Sequence, residues 1–133
     1  MTALLLDTHA WVWTLRGSSS LSEGVLNTLD AAEAVYVSPI SFFEIAQKVR
    51  LGKWEEMAQL TLQLPALLQD QGGLVATLTP EICQTAGEMD WTHSDPFDRL
   101  LAATSILTGI PLASADPAFD QLSERKDWPN RVW

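Results

Sequence analysis

Four carboxylates stand where a short apolar run or a turn gives way to a helical pattern: Asp7, Glu44, Asp98 and Asp116. Asp7 ends the run Ala3-Leu4-Leu5-Leu6, and Glu44 lies early in the helix expected from Ser41. Asp98 lies in the first turn of a helix opened by Asp95-Pro96, and Asp116 follows Ile110-Pro111-Leu112-Ala113-Ser114. In a parallel sheet the strand-to-helix junctions share one edge, so these side chains could gather at one place. Four uncompensated carboxylates there would repel and raise one another's pKa, which makes a hard divalent cation their natural partner. Oxygen-only ligation favours Mg²⁺ or Mn²⁺ over zinc, and no His/Cys spacing in the chain offers a zinc site. A cation so held could polarise a phosphate and activate water.

Each acid also has a local role open to it. Asp95 and Asp98 fall where a helix N-terminus favours negative charge, worth roughly 0.3–1 kcal/mol each. Asp7 could cap the helix expected over Thr8 to Arg16, and Glu44 completes a Ser41-x-x-Glu44 capping box with Lys48 one turn on. The recurrence of the pattern at four junctions is what points beyond capping. Lys48, Arg50 and Lys53 form the densest basic cluster, either a solvated face or an edge that contacts phosphate beside the acids. His9 and His93 stand near the same junctions, where a lone histidine is more often a core or surface residue than a ligand.

The elements that must position these residues follow from local signals. Strands are expected at Ala3–Leu6, Val35–Val37, Leu74–Leu78 and Ile110–Ser114. Helices are expected from Thr8 to Arg16, after a Ser22 cap, from Ser41 to Gly52, after Thr79-Pro80 to near Met89, and from Asp95-Pro96 to Gly109. Ser38-Pro39-Ile40 reads as a break in the pattern. Trp54 to Gly73 reads as two short helices interrupted at Pro65. Strands alternating with helices give an α/β fold with a parallel sheet covered on both faces.

Bulk properties agree. The 133 residues, 47% hydrophobic and 19% charged, are enough for one globular unit with a real core. No stretch is long or apolar enough for a signal-peptide core or membrane span, so a soluble, cytoplasmic protein is expected. The single cysteine, Cys83, forms no internal disulfide and is read as a small core residue. A net charge of −9 argues against broad, non-specific nucleic-acid binding, although a bound cation would supply positive charge locally. Six tryptophans are many for this length and could serve the core or an interface.

Several segments together resemble the PIN-domain ribonucleases of the VapC toxin type. They are Leu4-Leu5-Leu6-Asp7-Thr8-His9-Ala10, Ser41-Phe42-Phe43-Glu44-Ile45-Ala46 with Lys48 and Leu51-Gly52-Lys53, His93-Ser94-Asp95-Pro96-Phe97-Asp98-Arg99-Leu100-Leu101-Ala102-Ala103, and Ala115-Asp116. They occur in the family's order and span nearly the whole chain, 1–133, as a single PIN-like domain. The resemblance implies a three-layer α/β/α sandwich on a five-stranded parallel sheet. It also implies a Mg²⁺- or Mn²⁺-dependent endoribonuclease that leaves 5′-phosphate and 3′-hydroxyl ends. Asp7, Glu44, Asp98 and Asp116 would be its acidic quartet, with Asp95, Ser114 and Thr8 accessory. Ser114 replaces the family's usual threonine and keeps the hydroxyl, whereas Gly87 to Thr92 departs from the expected Leu-Pro. Further implied are an RNA substrate, a homodimer and a small antitoxin protein lying across the acidic groove, with Trp11, Trp13, Phe42 and Phe43 as receptors for its apolar anchor or as core. Two alternatives stand beside this: a catalytically silent metal- or partner-binding module, and a haloacid-dehalogenase-like phosphatase, which Asp7-Thr8 resembles although His9 departs from its motif.

Overall fold

The computed structural model describes residues 2–133. Strand β1 (Ala3–Leu6) leads to helix α1 (Thr8–Arg16), and helix α2 (Glu23–Ala31) leads to β2 (Ala34–Val37) and α3 (Pro39–Arg50). Two 3₁₀ turns, Glu55–Met57 and Leu60–Gln63, precede α4 (Leu64–Asp70). Then follow β3 (Leu74–Val75), α5 (Pro80–Glu88), α6 (Pro96–Thr108), β4 (Leu112–Ala113), a 3₁₀ segment at Pro117–Leu122 and β5 (Arg131–Val132). The five strands form a parallel sheet in the order β3-β2-β1-β4-β5.

Strand alternation divides the core into the two faces of a three-layer sandwich. Leu4, Leu6, Val37 and Ala113 pack with Trp11, Val12, Ile45 and Leu68 of α1, α3 and α4. Leu5 and Leu112 pack on the other side with Leu101, Ala102 and Ile106 of α6 and with Phe119 and Trp128. The expected sandwich with a five-stranded parallel sheet is therefore what the chain adopts.

Helix α6 runs between the expected signals. The Asp95 carboxylate accepts from the Phe97 N–H at 2.9 Å, and Gly109 closes the helix at φ 73°, where a Cβ would be strained. Ser22 and Thr79 cap α2 and α5, also as expected.

Other local expectations need correction. Helix α3 starts at Pro39, not Ser41: the Ser38 hydroxyl accepts from the Ile40 N–H, and Pro39 occupies the first helical position. Ser41 is already helical and meets the Thr8 hydroxyl at 2.9 Å instead, so there is no capping box and Glu44 lies in the second turn. Pro65 is the second residue of α4 and starts that helix, where its missing N–H costs nothing. The strands expected at Leu74–Leu78 and Ile110–Ser114 shrink to two residues each. Cys83 is exposed, because α5 buries its Ile82 and Ala86 stripe and turns the neighbouring position outward.

Candidate active site

The sheet order makes β1 and β4 neighbours at the point where the winding reverses, and ligand crevices in open parallel sheets form beyond the strand ends at such a point. Asp7 follows β1 and Asp116 follows β4 by three residues. The Asp7 N–H donates to the Ala113 carbonyl at 3.0 Å, which carries the β1–β4 ladder one residue further and fixes Asp7 beside Ser114. Glu44 projects from α3 and Asp98 from the first turn of α6. All four acids line one cavity of about 160 Å³, joined by Asp95, Thr8, His9 and Lys48.

Asp7 and Glu44 are buried, at 8% and 6% exposure, while Asp116 is open to solvent. Burial pushes the Asp7 carboxyl up to about 6; the Ser114 hydroxyl and Ala10 N–H oppose the shift, and Glu44 and Asp116 add to it. Asp98 is also pushed up to about 6, first by burial and then by Asp95 and Asp7, against a hydrogen bond from His93. The Ser114 hydroxyl also accepts from the Asp116 N–H at 3.1 Å, so one buried serine serves both strand-end acids. Lys48 Nζ lies 2.6 Å from Glu44 Oε2 and 5.5 Å from the centre of the Trp54 ring. Arg50 lines a different hollow with Phe43, Ala46 and Gln47, and Lys53 is exposed beyond the helix, so only Lys48 of the basic cluster reaches the cavity.

Two residues outside the expected site set shape the site: His93, which is read as more often core or surface than ligand, and Arg99, to which no role is given. His93 Nε2 is 2.7 Å from Asp98 Oδ2, and its ring packs 4.8 Å from that of Trp91. Ligand atoms of His93, Asp98 and Asp116 lie within 4.8 Å of one another. Arg99 donates to the carbonyls of Ala86, Met89, Trp91 and His93 at 2.5–2.9 Å, tying the loop before α6 to the helix itself. The available signal was its position: a cation in the first turns of a helix opposes the macrodipole and needs another reason to be there.

The PIN domain family model matches residues 4–125. The chain belongs to the PIN domain family. It is 32% identical over 136 residues to Ribonuclease VapC22 of Mycobacterium tuberculosis, and the match covers 100% of both chains. In fold, this PIN domain is similar to a chain of VapBC2 from Rickettsia felis bound to a DNA fragment from their promoter, with TM-score 0.65, 15% identity and coverage of 99% of this chain and 100% of that one. It is also similar to a chain of a toxin-antitoxin complex from Klebsiella pneumoniae, with TM-score 0.56, 12% identity and 93% of each chain covered.

The donor set of this PIN domain fits a divalent cation. Carboxylate oxygens dominate the cavity, and the one lysine or arginine lining it is committed to Glu44. Burial and neighbouring carboxylates raise the carboxyls of Asp7 and Asp98 to about 6, and a cation would relieve the cost of their charged forms. His93 adds one nitrogen donor to an otherwise oxygen site.

Proposed function

We propose that this chain is a Mg²⁺- or Mn²⁺-dependent endoribonuclease that cleaves RNA phosphodiester bonds, acts in the cytoplasm as a homodimeric toxin, and is neutralised by a small antitoxin protein. The observation that carries this reading is the convergence of Asp7, Glu44, Asp98 and Asp116 on one cavity at the switch point of the sheet. Identity of 32% to a ribonuclease over the full length of both chains supports it, and so does likeness of fold to chains from toxin-antitoxin assemblies. The strand at Arg131–Val132 lies beyond the family match yet completes the sheet, so 1–133 is read as one PIN unit.

Asp7 and Asp98 would be the main holders of the cation, with Glu44 and Asp116 direct or through water. When bound, the ion supplies Lewis acidity toward a phosphate oxygen and makes a nearby water more acidic. The chain's own groups set the stage. Ser114 orients Asp7 and Asp116, and His93 Nε2 holds Asp98 Oδ2 in place. Asp95 spends one oxygen on the helix cap, and Thr8 pins Ser41 of α3 against α1. Lys48 screens Glu44, and with Arg50 and Lys53 it offers an edge for flanking phosphates. For the antitoxin's apolar anchor, Trp11 is fully buried and Phe42 packs on it, while Phe43 stands 57% exposed beside Phe97.

Purified protein given a mixed pool of structured RNAs tests the reading, with Mg²⁺ or Mn²⁺ against EDTA and wild type against Asp98→Asn. Metal-dependent cuts absent from the variant are expected. Equal cutting by both proteins, or none by either, overturns it.

A further inference from the structure

Beside the acidic cavity lies a run of aromatic rings for which the cleavage chemistry has no use. His9 lines the cavity yet is exposed, and its ring centre is 5.0 Å from that of Trp54 and 5.9 Å from that of Trp13, one helical turn along α1. Trp13 in turn lies 5.6 Å from Trp133, both half-buried. The planes are tilted by 57° between His9 and Trp13 and by 56° between Trp13 and Trp133, so these rings do not cover one another's faces as a closed stack would. Trp54 is 9% exposed and sits under Lys48, which makes it the support of this shelf, whereas His9 and Trp13 are its open part.

We propose that His9 and Trp13 form a stacking subsite for one nucleobase of a single-stranded RNA, next to the phosphate that enters the acidic cavity. The inference rests on the ribonuclease reading and adds the group that seats the substrate. An acidic chain of net charge −9, with one cation at the cavity and that one paired, has little to offer a polyanion away from a bound metal. Stacking on aromatic side chains does not depend on charge, and unpaired RNA bases are recognised in this way. Because His9 itself lines the cavity, a base flanking the phosphate held there meets its ring without any rearrangement of the fold.

The test uses a short single-stranded RNA that the wild-type protein cuts, with each nucleotide in turn replaced by an abasic ribose. One abasic position beside the cut is expected to raise KM about 5- to 150-fold with kcat little changed, the range that base–aromatic stacking spans. His9→Ala is expected to raise KM for the intact RNA similarly and to add nothing on that abasic RNA; Trp13→Ala should behave alike. His9 is exposed, and the abasic series needs no change in the protein, so a fold lost in Trp13→Ala does not blunt the test. Metal-dependent cutting that is indifferent to every abasic position and to His9→Ala overturns the subsite and leaves the ribonuclease reading standing. Failure to cut any RNA overturns both.

Discussion

Asp7 is pulled two ways. Burial raises its carboxyl to about 6, while the Ser114 hydroxyl and the Ala10 N–H favour the charged form. In an unfolded chain the same group titrates at its ordinary 3.8, so the folded state holds the proton more tightly. Its contribution to stability is therefore fully present below about pH 4 and is lost as pH rises through 6. Above that range, without metal, the buried charge costs roughly 3 kcal/mol at 1.36 kcal/mol per pKa unit. Asp7→Asn removes the charge and keeps an oxygen for the Ala10 N–H. In EDTA this variant is expected to be more stable than wild type at pH 8 by up to about 3 kcal/mol, the gap closing toward pH 4. Urea melts at several pH values check this, and equal stability at pH 8 would show that the carboxylate is not strained. The same substitution is expected to lower metal-dependent RNA cleavage at least about a thousandfold, since several kcal/mol of charge stabilisation go with the cation. Both outcomes together would mark Asp7 as a residue kept for chemistry at the expense of the metal-free fold.

Helix α6 carries Asp98 inward, and Arg99 decides what stands in front of it. Four carbonyls from Ala86 to His93 receive its planar fork, an arrangement a lysine ammonium cannot reproduce. Arg99→Lys is expected to cost about 2–4 kcal/mol, because carbonyls in a half-buried loop lose charge-assisted partners. It is also expected to free His93 from Asp98, seen as a displaced His93 imidazole NMR signal; a variant of native stability with that signal in place would refute the role. The contrast between α6 and its neighbours explains what was readable in the sequence. Start and stop signals of α6, Asp95-Pro96 and Gly109, lie within its own residues. The same pairing of a capping residue with a following proline opens α3 at Ser38-Pro39, where it was read as a break because a second apparent cap followed at Ser41. Ser41 takes its partner Thr8 from 33 residues away, and β5 exists only through pairing with β4, so neither leaves a local trace. The convergence of the four acids was readable from the junction rule. The adjacency of β1 and β4 that brings Asp7 and Asp116 side by side was not, since strand order is set by packing over the whole chain.

At the scale of the molecule, a net charge of −9 and a cavity rich in carboxylates make the metal-free protein a poor receptor for RNA. A divalent ion that binds the folded chain and not the unfolded one stabilises it, by roughly 2.7 kcal/mol at a hundred times its Kd. Mg²⁺ or Mn²⁺ should therefore raise the thermal midpoint of wild type and raise that of Asp98→Asn far less. Salt dependence separates the two ways such a protein could hold RNA. With single strands, each neutralised phosphate contributes roughly −0.7 to the slope of log affinity against log salt. Lys48 is the cation that lines the cavity and is already paired with Glu44, Arg50 and Lys53 follow it along the same stretch, and Arg99 and Arg131 are committed to backbone carbonyls and to Asp120. Two or three contacts give a slope between about −1.4 and −2.1 for kcat/KM on a short RNA as KCl is raised. A slope steeper than about −4 would demand a basic surface that this chain does not carry on α3, and would move the RNA path to another face. The shallow slope is expected because the acids that need the metal also forbid a wide cationic groove around it.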